Sequence, residues 1–160
     1  MPVAIDPQQY RRILSSYPTG AIVVCAETPD GPAGMTCNSF TSVSIEPPLV
    51  AFCPAKTSIT WPRIRACGRF CISVLASHHE ETSRLFASRG ANRFAPTPVL
   101  SRGSGPALAD AVAWIDCVLE TEHDAGDHFI VIAGVRGLEE GSSARPLVFW
   151  RGRYGSVASE

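Results

Sequence analysis

The stretch Ala113-Trp114-Ile115-Asp116-Cys117-Val118-Leu119-Glu120-Thr121-Glu122-His123-Asp124-Ala125-Gly126-Asp127-His128-Phe129-Ile130-Val131-Ile132-Ala133-Gly134-Val135-Arg136-Gly137-Leu138 decides the architecture. Two runs rich in apolar and β-branched residues flank Asp124-Ala125-Gly126-Asp127, which is turn chemistry. Ala113 to His123 and His128 to Leu138 therefore read as two strands of a hairpin. Leu147 to Trp150 follows as a last short strand before Arg151-Gly152-Arg153-Tyr154.

Upstream, more strands and a few short helices can be read. Arg69 to Leu75 alternates Phe70, Ile72 and Val74 with Arg69, Cys71 and Ser73, the pattern of a half-buried strand. Leu49 to Cys53 reads as a buried strand and Ala21 to Ala26 as an apolar, β-branched run, and the next strand enters near Gly34 after Thr28-Pro29-Asp30-Gly31-Pro32. Asp6 and Pro7 open a helix whose apolar face is Tyr10, Ile13, Leu14 and Tyr17. Ser58 caps a second helix running to about Ala66, with Pro62 in its first turn and Gly68 as its stop. His78 to Ala87 reads as a surface helix, and Ser88 to Pro106 as a long aperiodic loop. The expectation is a mainly β protein with short α-helices laid on a small barrel.

Composition excludes several function classes. A chain of 160 residues is expected to form one domain, 1–160. Apolar residues at 45% and charged residues at 18% exclude general disorder. Fourteen basic against fifteen acidic residues give a net charge of −1, so a nucleic-acid partner is not expected. No apolar run approaches the ~18–20 residues that span a bilayer, so no membrane partner is expected. Met1 to Asp6 does not read as a signal peptide. Six cysteines stand singly, mostly within apolar runs, and suit reduced thiols of a cytoplasmic protein.

Three segments could carry chemistry. In Thr36-Cys37-Asn38-Ser39-Phe40-Thr41-Ser42, small hydroxyls and backbone N–H groups could receive phosphate oxygens or the edge of a flat heterocycle. The same run also reads as an edge strand with solvated Ser and Thr. Lys56-Thr57-Ser58 could hold an anion where a helix opens, or be a plain cap. Glu122 to His128 could bind a metal, present His128 to a pocket, or be a polar hairpin tip; alternation along the strands would scatter the metal ligands, so no metal is expected. Cys37 could be a reactive thiol or a packed one. No G-x-G-x-x-G, G-x-x-x-x-G-K-[ST] or G-x-S-x-G motif is present.

The strings Ser16-Tyr17-Pro18-Thr19-Gly20, Gly34 to Ser44, Glu46-Pro47-Pro48-Leu49-Val50, Gly68-Arg69-Phe70, Arg93-Phe94-Ala95, Gly126-Asp127-His128 and Arg151-Gly152-Arg153-Tyr154 occur in order. Together they resemble the short-chain flavin reductases, the reductase components of two-component flavin monooxygenases. Leu49 to Cys71 is most similar to reductases serving aromatic-ring and steroid-ring hydroxylases. The resemblance implies a split β-barrel homodimer using FMN or FAD with NADH or NADPH, and a separate oxygenase that receives reduced flavin. It places the flavin against Met35, Thr36, Cys37, Asn38, Ser39 and Phe40. Cys53 and Pro54 lead into the phosphate side at Ala55, Lys56, Thr57 and Ser58. Arg93 and Phe94 would lie by the flavin, and His128, Arg153 and Tyr154 on the nicotinamide side, His128 in the catalytic role. Many members carry Ser or Thr where this chain has Cys37 and Asn38, and Gly where it has Pro96. A non-catalytic flavin- or haem-binding barrel, or an interaction domain without a cofactor, is the competing reading.

Overall fold

The structure, a computed structural model, describes residues 1, 3–90 and 92–159. Pro2 of the N-terminal reading, Ala91 of the loop reading and Glu160 at the end of the expected domain lie outside the described residues. Strand β2 (Ile22–Thr28) shows why the fold is layered. Ile22, Val24 and Ala26 point into one core, and Val23 and Cys25, with the preceding Ala21, point into another. An apolar run buried on both faces needs cover on both, and the rest of the chain supplies it.

The main sheet has seven antiparallel strands in the order β3-β2-β6-β9-β10-β5-β4, where β3 is Gly31–Cys37, β4 Thr41–Ser44, β5 Leu49–Phe52, β6 Arg69–Val74, β9 Ala113–Ala125 and β10 His128–Glu140. Its two edge strands, β3 and β4, are consecutive in sequence and joined by residues 38–40 alone. Such a connection reaches about 14 Å fully extended. Six inter-strand gaps of a flat sheet measure about 29 Å. The sheet must therefore curl until its edges meet, which makes it an open, split barrel.

Inside the barrel, Phe52 meets Trp61 and Phe70 edge-to-face, with centroids 5.4 and 5.6 Å apart. Trp61 belongs to helix α2 (Trp61–Cys67), which plugs one end of the barrel with Trp61 and Ile64. Ser58 Oγ accepts from the N–H groups of Thr60 and Trp61. It thus bonds to the start of the helix as expected, although Thr60 is the residue that immediately precedes it. Gly68 closes the helix at φ 69°.

Outside the barrel, Phe86 of helix α3 (Glu80–Ala87) joins Leu75, Leu108 and Leu147 against the outer face of β2. The expected surface helix is present as α3, with Ser83 and Phe86 packed inward and Glu80, Glu81 and Arg84 exposed. Gly34 permits this packing: a Cβ there would lie 2.7 Å from the Phe86 ring and 2.9 Å from Cys25 Sγ. Helix α1 (Pro7–Leu14) is capped by Asp6 as expected but buries none of its residues.

The expected loop of residues 88–106 is also corrected. It contains strand β7 (Val99–Arg102), which pairs with β8 (Gly105–Leu108). A three-stranded sheet of β1 (Thr19–Gly20), β11 (Leu147–Trp150) and β12 (Arg153–Ser156) completes the chain. Among the described residues no helix is long and apolar enough to cross a membrane.

Candidate active site

The point where the barrel edges meet is also where the candidate residues gather. Ser39, in the link between β3 and β4, bonds through Oγ to the Cys53 N–H at 2.8 Å. This fastens the link to the end of β5. The following segment is tied in turn to the β9–β10 hairpin: the Lys56 N–H donates to Asp127 O, and the Phe129 N–H to Pro54 O, both at 2.9 Å. Ala55 bridges to His128. Backbone bonding thus sets three distant stretches of sequence around one opening.

That opening is a cleft of about 460 Å³. One wall is Met35, Thr36, Cys37, Asn38 and Ser39, and the facing wall is Cys53, Pro54, Ala55, Thr57 and Ser58. Arg93, His128 and Tyr154 also line it. Four residues expected at the site stand elsewhere. Phe40 packs against the barrel core. Lys56 Nζ pairs with Asp124 Oδ1 at 2.8 Å and lies 5.4 Å from the centre of the Phe129 ring. Phe94 sets its ring edge-on to Phe86, with centroids 5.0 Å apart. Arg153 lines a separate groove with Pro18, Val148 and Trp150.

The cleft also includes residues that the sequence reading had not placed there: Ala21, Ile59, Thr60, Phe86, Ala87, Arg89 and Phe149. Phe149 carried a local signal as part of the apolar strand after residue 146. Phe86 and Ala87 reach the cleft because α3 packs against β3, and Ile59 and Thr60 continue the Thr57-Ser58 wall.

Side chains on the cleft are held from behind. Thr36 Oγ1 donates to Ser83 O at 2.7 Å, and Ser83 Oγ shares a hydrogen bond with Tyr154 OH at 2.8 Å. The Arg93 guanidinium donates to Gly34 O, to Ser88 O and, at 3.0 Å, to Thr60 Oγ1. His128 Nδ1 lies 2.8 Å from Asp127 Oδ1. The imidazole beside it holds the Asp127 carboxyl below the usual carboxylate range, by hydrogen bonding first and charge second. Burial, and then the neighbouring Cys53, push the Cys37 thiol up to about 12. Cys37 is therefore a packed thiol and not a nucleophile at neutral pH.

The carboxylates of the hairpin tip are already engaged by other side chains. Glu122 accepts from Trp61 Nε1 at 2.6 Å and from Arg65 at 3.0 Å, while Asp124 takes Lys56 and Asp127 takes His128. Among the described residues no group of three or more His, Cys, Asp or Glu side chains is placed to hold a metal ion.

The electrostatic character of the cleft is one-sided. Its described lining includes Arg89, Arg93 and His128 and no Asp or Glu, although the whole chain carries a net charge of −1. Small hydroxyl and amide side chains leave room for a flat ring against the backbone, and Phe149 and Tyr154 add aromatic surface. Its volume lies within the ~300–1,000 Å³ usual for small-molecule and cofactor sites. These features fit an anionic heterocyclic cofactor such as a flavin nucleotide.

Fold and cleft together define a split-barrel protein with a cationic pocket of nucleotide size. The sequence pattern described as the flavin reductase like domain matches residues 14–158. The chain belongs to that family. It is similar to a flavin reductase of Pseudomonas putida, with 46% identity over 98% of this chain and 93% of that one. It is also similar to the flavin-dependent monooxygenase reductase subunit HsaB of Rhodococcus jostii strain RHA1, with 41% identity over 96% of this chain and 80% of that one. Among solved structures, the Streptomyces globisporus C-1027 NADH:FAD oxidoreductase SgcE6 in complex with NAD and FAD fragments superposes with a TM-score of 0.89. The identity there is 34%, over 97% of this chain and 96% of that one.

Proposed function

We propose that this chain is an NAD(P)H:flavin oxidoreductase that supplies reduced FMN or FAD to a separate monooxygenase acting on aromatic or steroid rings. The observation that carries the reading is the cationic cleft where the barrel edges meet. Its charge, small polar rim and aromatic wall suit the phosphate, ring edge and ring face of a flavin.

When bound, the flavin supplies the ring that accepts a hydride from the reduced nicotinamide; the protein binds and orients both. The Met35–Ser39 wall holds the ring edge. Thr57, Ser58 and Arg89 meet the phosphate, since Lys56, expected there, is paired with Asp124. Asp127 Oδ1, 2.8 Å from His128 Nδ1, orients the imidazole that positions the nicotinamide. Met35, Phe149 and Tyr154 narrow the cleft and limit water beside the reacting rings.

The working molecule is a homodimer. Helix α1 leaves Tyr10, Ile13 and Leu14 more than half exposed. An amphipathic helix with its apolar face in water is what a second copy would cover. The described cysteines are all free, which fits a reducing compartment such as the cytoplasm.

The test is a steady-state matrix of NADH and NADPH against FMN, FAD and riboflavin. Reduced-nicotinamide oxidation that requires added or bound flavin is expected. Flavin binding without turnover would instead support a carrier or sensor.

A further inference from the structure

Ser83 is fully buried in the middle of α3, behind the cleft. Alanine is the better helix former at such a position, and a buried hydroxyl loses its hydration, so a serine there needs a compensating bond. That bond joins Ser83 Oγ to Tyr154 OH at 2.8 Å, while the carbonyl of the same residue accepts from Thr36 Oγ1 at 2.7 Å. One residue thus ties together two walls of the cleft that belong to different sheets. Thr36 is on β3 of the barrel, and Tyr154 is on β12 of the three-stranded sheet.

The tie matters because β12 is an edge strand. Among the described residues it pairs with β11 alone, Phe149 opposite Tyr154, and no ladder joins it to β3. The Tyr154 ring is also held by Arg84, whose guanidinium carbon lies 4.9 Å from the ring centre, and by Phe149, with ring centroids 5.1 Å apart. Those contacts tolerate a range of angles, whereas a hydrogen bond is directional. The Ser83 hydroxyl is therefore what fixes the tilt of the ring.

Resting on the flavin reductase reading, we infer that Ser83 is a positioning residue for hydride transfer: through Tyr154 it sets the separation of the walls between which the flavin and the reduced nicotinamide stack. Hydride transfer needs the reacting atoms held roughly 3–3.5 Å apart. A wall free to tilt leaves both rings bound but their contact loose. Flavin affinity is set on the Met35–Ser39 side, where Thr36 keeps its bond to the Ser83 carbonyl when only the side chain is changed.

Ser83→Ala removes the hydroxyl and spares the carbonyl. Tyr154→Phe breaks the same bond from the other side and carries the test if the buried variant does not fold. FMN affinity is read by flavin fluorescence, and reduction of bound FMN by its loss of absorbance at saturating NADH without oxygen, with melting temperature taken for each variant. Each single variant is expected to slow reduction about five- to tenfold and to change FMN affinity less than about twofold. The double variant should match the single ones, since all three lack the same bond. A purely structural role would lower the melting temperature without slowing reduction in the folded enzyme. Unchanged reduction, equal losses in affinity and rate, or additive effects in the double variant would overturn the inference while leaving the reductase reading intact. Wild-type protein that reduced no flavin would overturn the reductase reading itself.

Discussion

Gly34 shows how much one position can carry. Its missing side chain lets Phe86 sit against β3, and its carbonyl receives Arg93. Gly34→Ala must displace a buried ring, and the expected cost is about 1–3 kcal/mol, read as a lower midpoint in urea unfolding. An unchanged midpoint would mean that α3 is looser than the packing implies. His128 belongs to the same scale. If it positions the nicotinamide, His128→Ala lowers turnover at saturating flavin by about 10- to 100-fold and changes flavin affinity little. Weaker flavin binding with undiminished turnover per bound flavin would remove that role. For the phosphate, Arg89→Ala is expected to weaken FMN more than riboflavin, which has none, while Lys56→Ala treats both alike. That Thr36 to Ser39 and His128 share one cleft was suggested by the family resemblance, while the residues alone left an edge strand and a polar hairpin tip open. The engagement of Lys56 was not legible, since Asp124 reaches it only through the register of a hairpin about 70 residues away in the chain.

At the scale of elements, the strands with regular alternation or continuous apolar runs were legible, and the β7–β8 hairpin was not. The sequence Gly105-Pro106-Ala107-Leu108 has no β-branched residue, and Pro106 cannot donate to a ladder. Tertiary contacts make it a strand. Leu108 N–H donates to Ser73 Oγ at 3.0 Å, and Trp114 Nε1 to Leu108 O at 2.8 Å. Arg102 forks onto Asp116 at 3.1 and 2.6 Å and reaches Glu139, while Ser104 also bonds Asp116. The Arg102 fork is the largest cause holding the Asp116 carboxyl below its usual value. A depressed folded-state pKa stabilises above the unfolded value of ~3.9 and ceases to do so as pH falls through the folded one. Asp116→Asn is therefore expected to cost about 1.5–3 kcal/mol at neutral pH. The gap in melting temperature from the parent protein should close as the pH drops below ~3.9. A gap independent of pH would mean that the fork does not set the carboxyl's titration.

For the whole molecule, the curl of the seven-stranded sheet is what creates the cleft. Residues 38–40 bring the two edges together, and Ser39 and the hairpin tip lock the rim. The proposed homodimer belongs to this scale as well, since α1 leaves its apolar face without cover from its own chain. Light scattering should report twice the chain mass, and Ile13→Asp with Leu14→Asp should shift it toward a single chain. Flavin reduction itself is measured by mixing the purified protein anaerobically with NADH and FMN. Each NADH oxidised is expected to yield one reduced flavin, well above the uncatalysed rate, and omitting flavin to abolish the reaction. Flavin that stays oxidised at the uncatalysed rate, with both NADH and NADPH and with FAD as well as FMN, would contradict the proposed function.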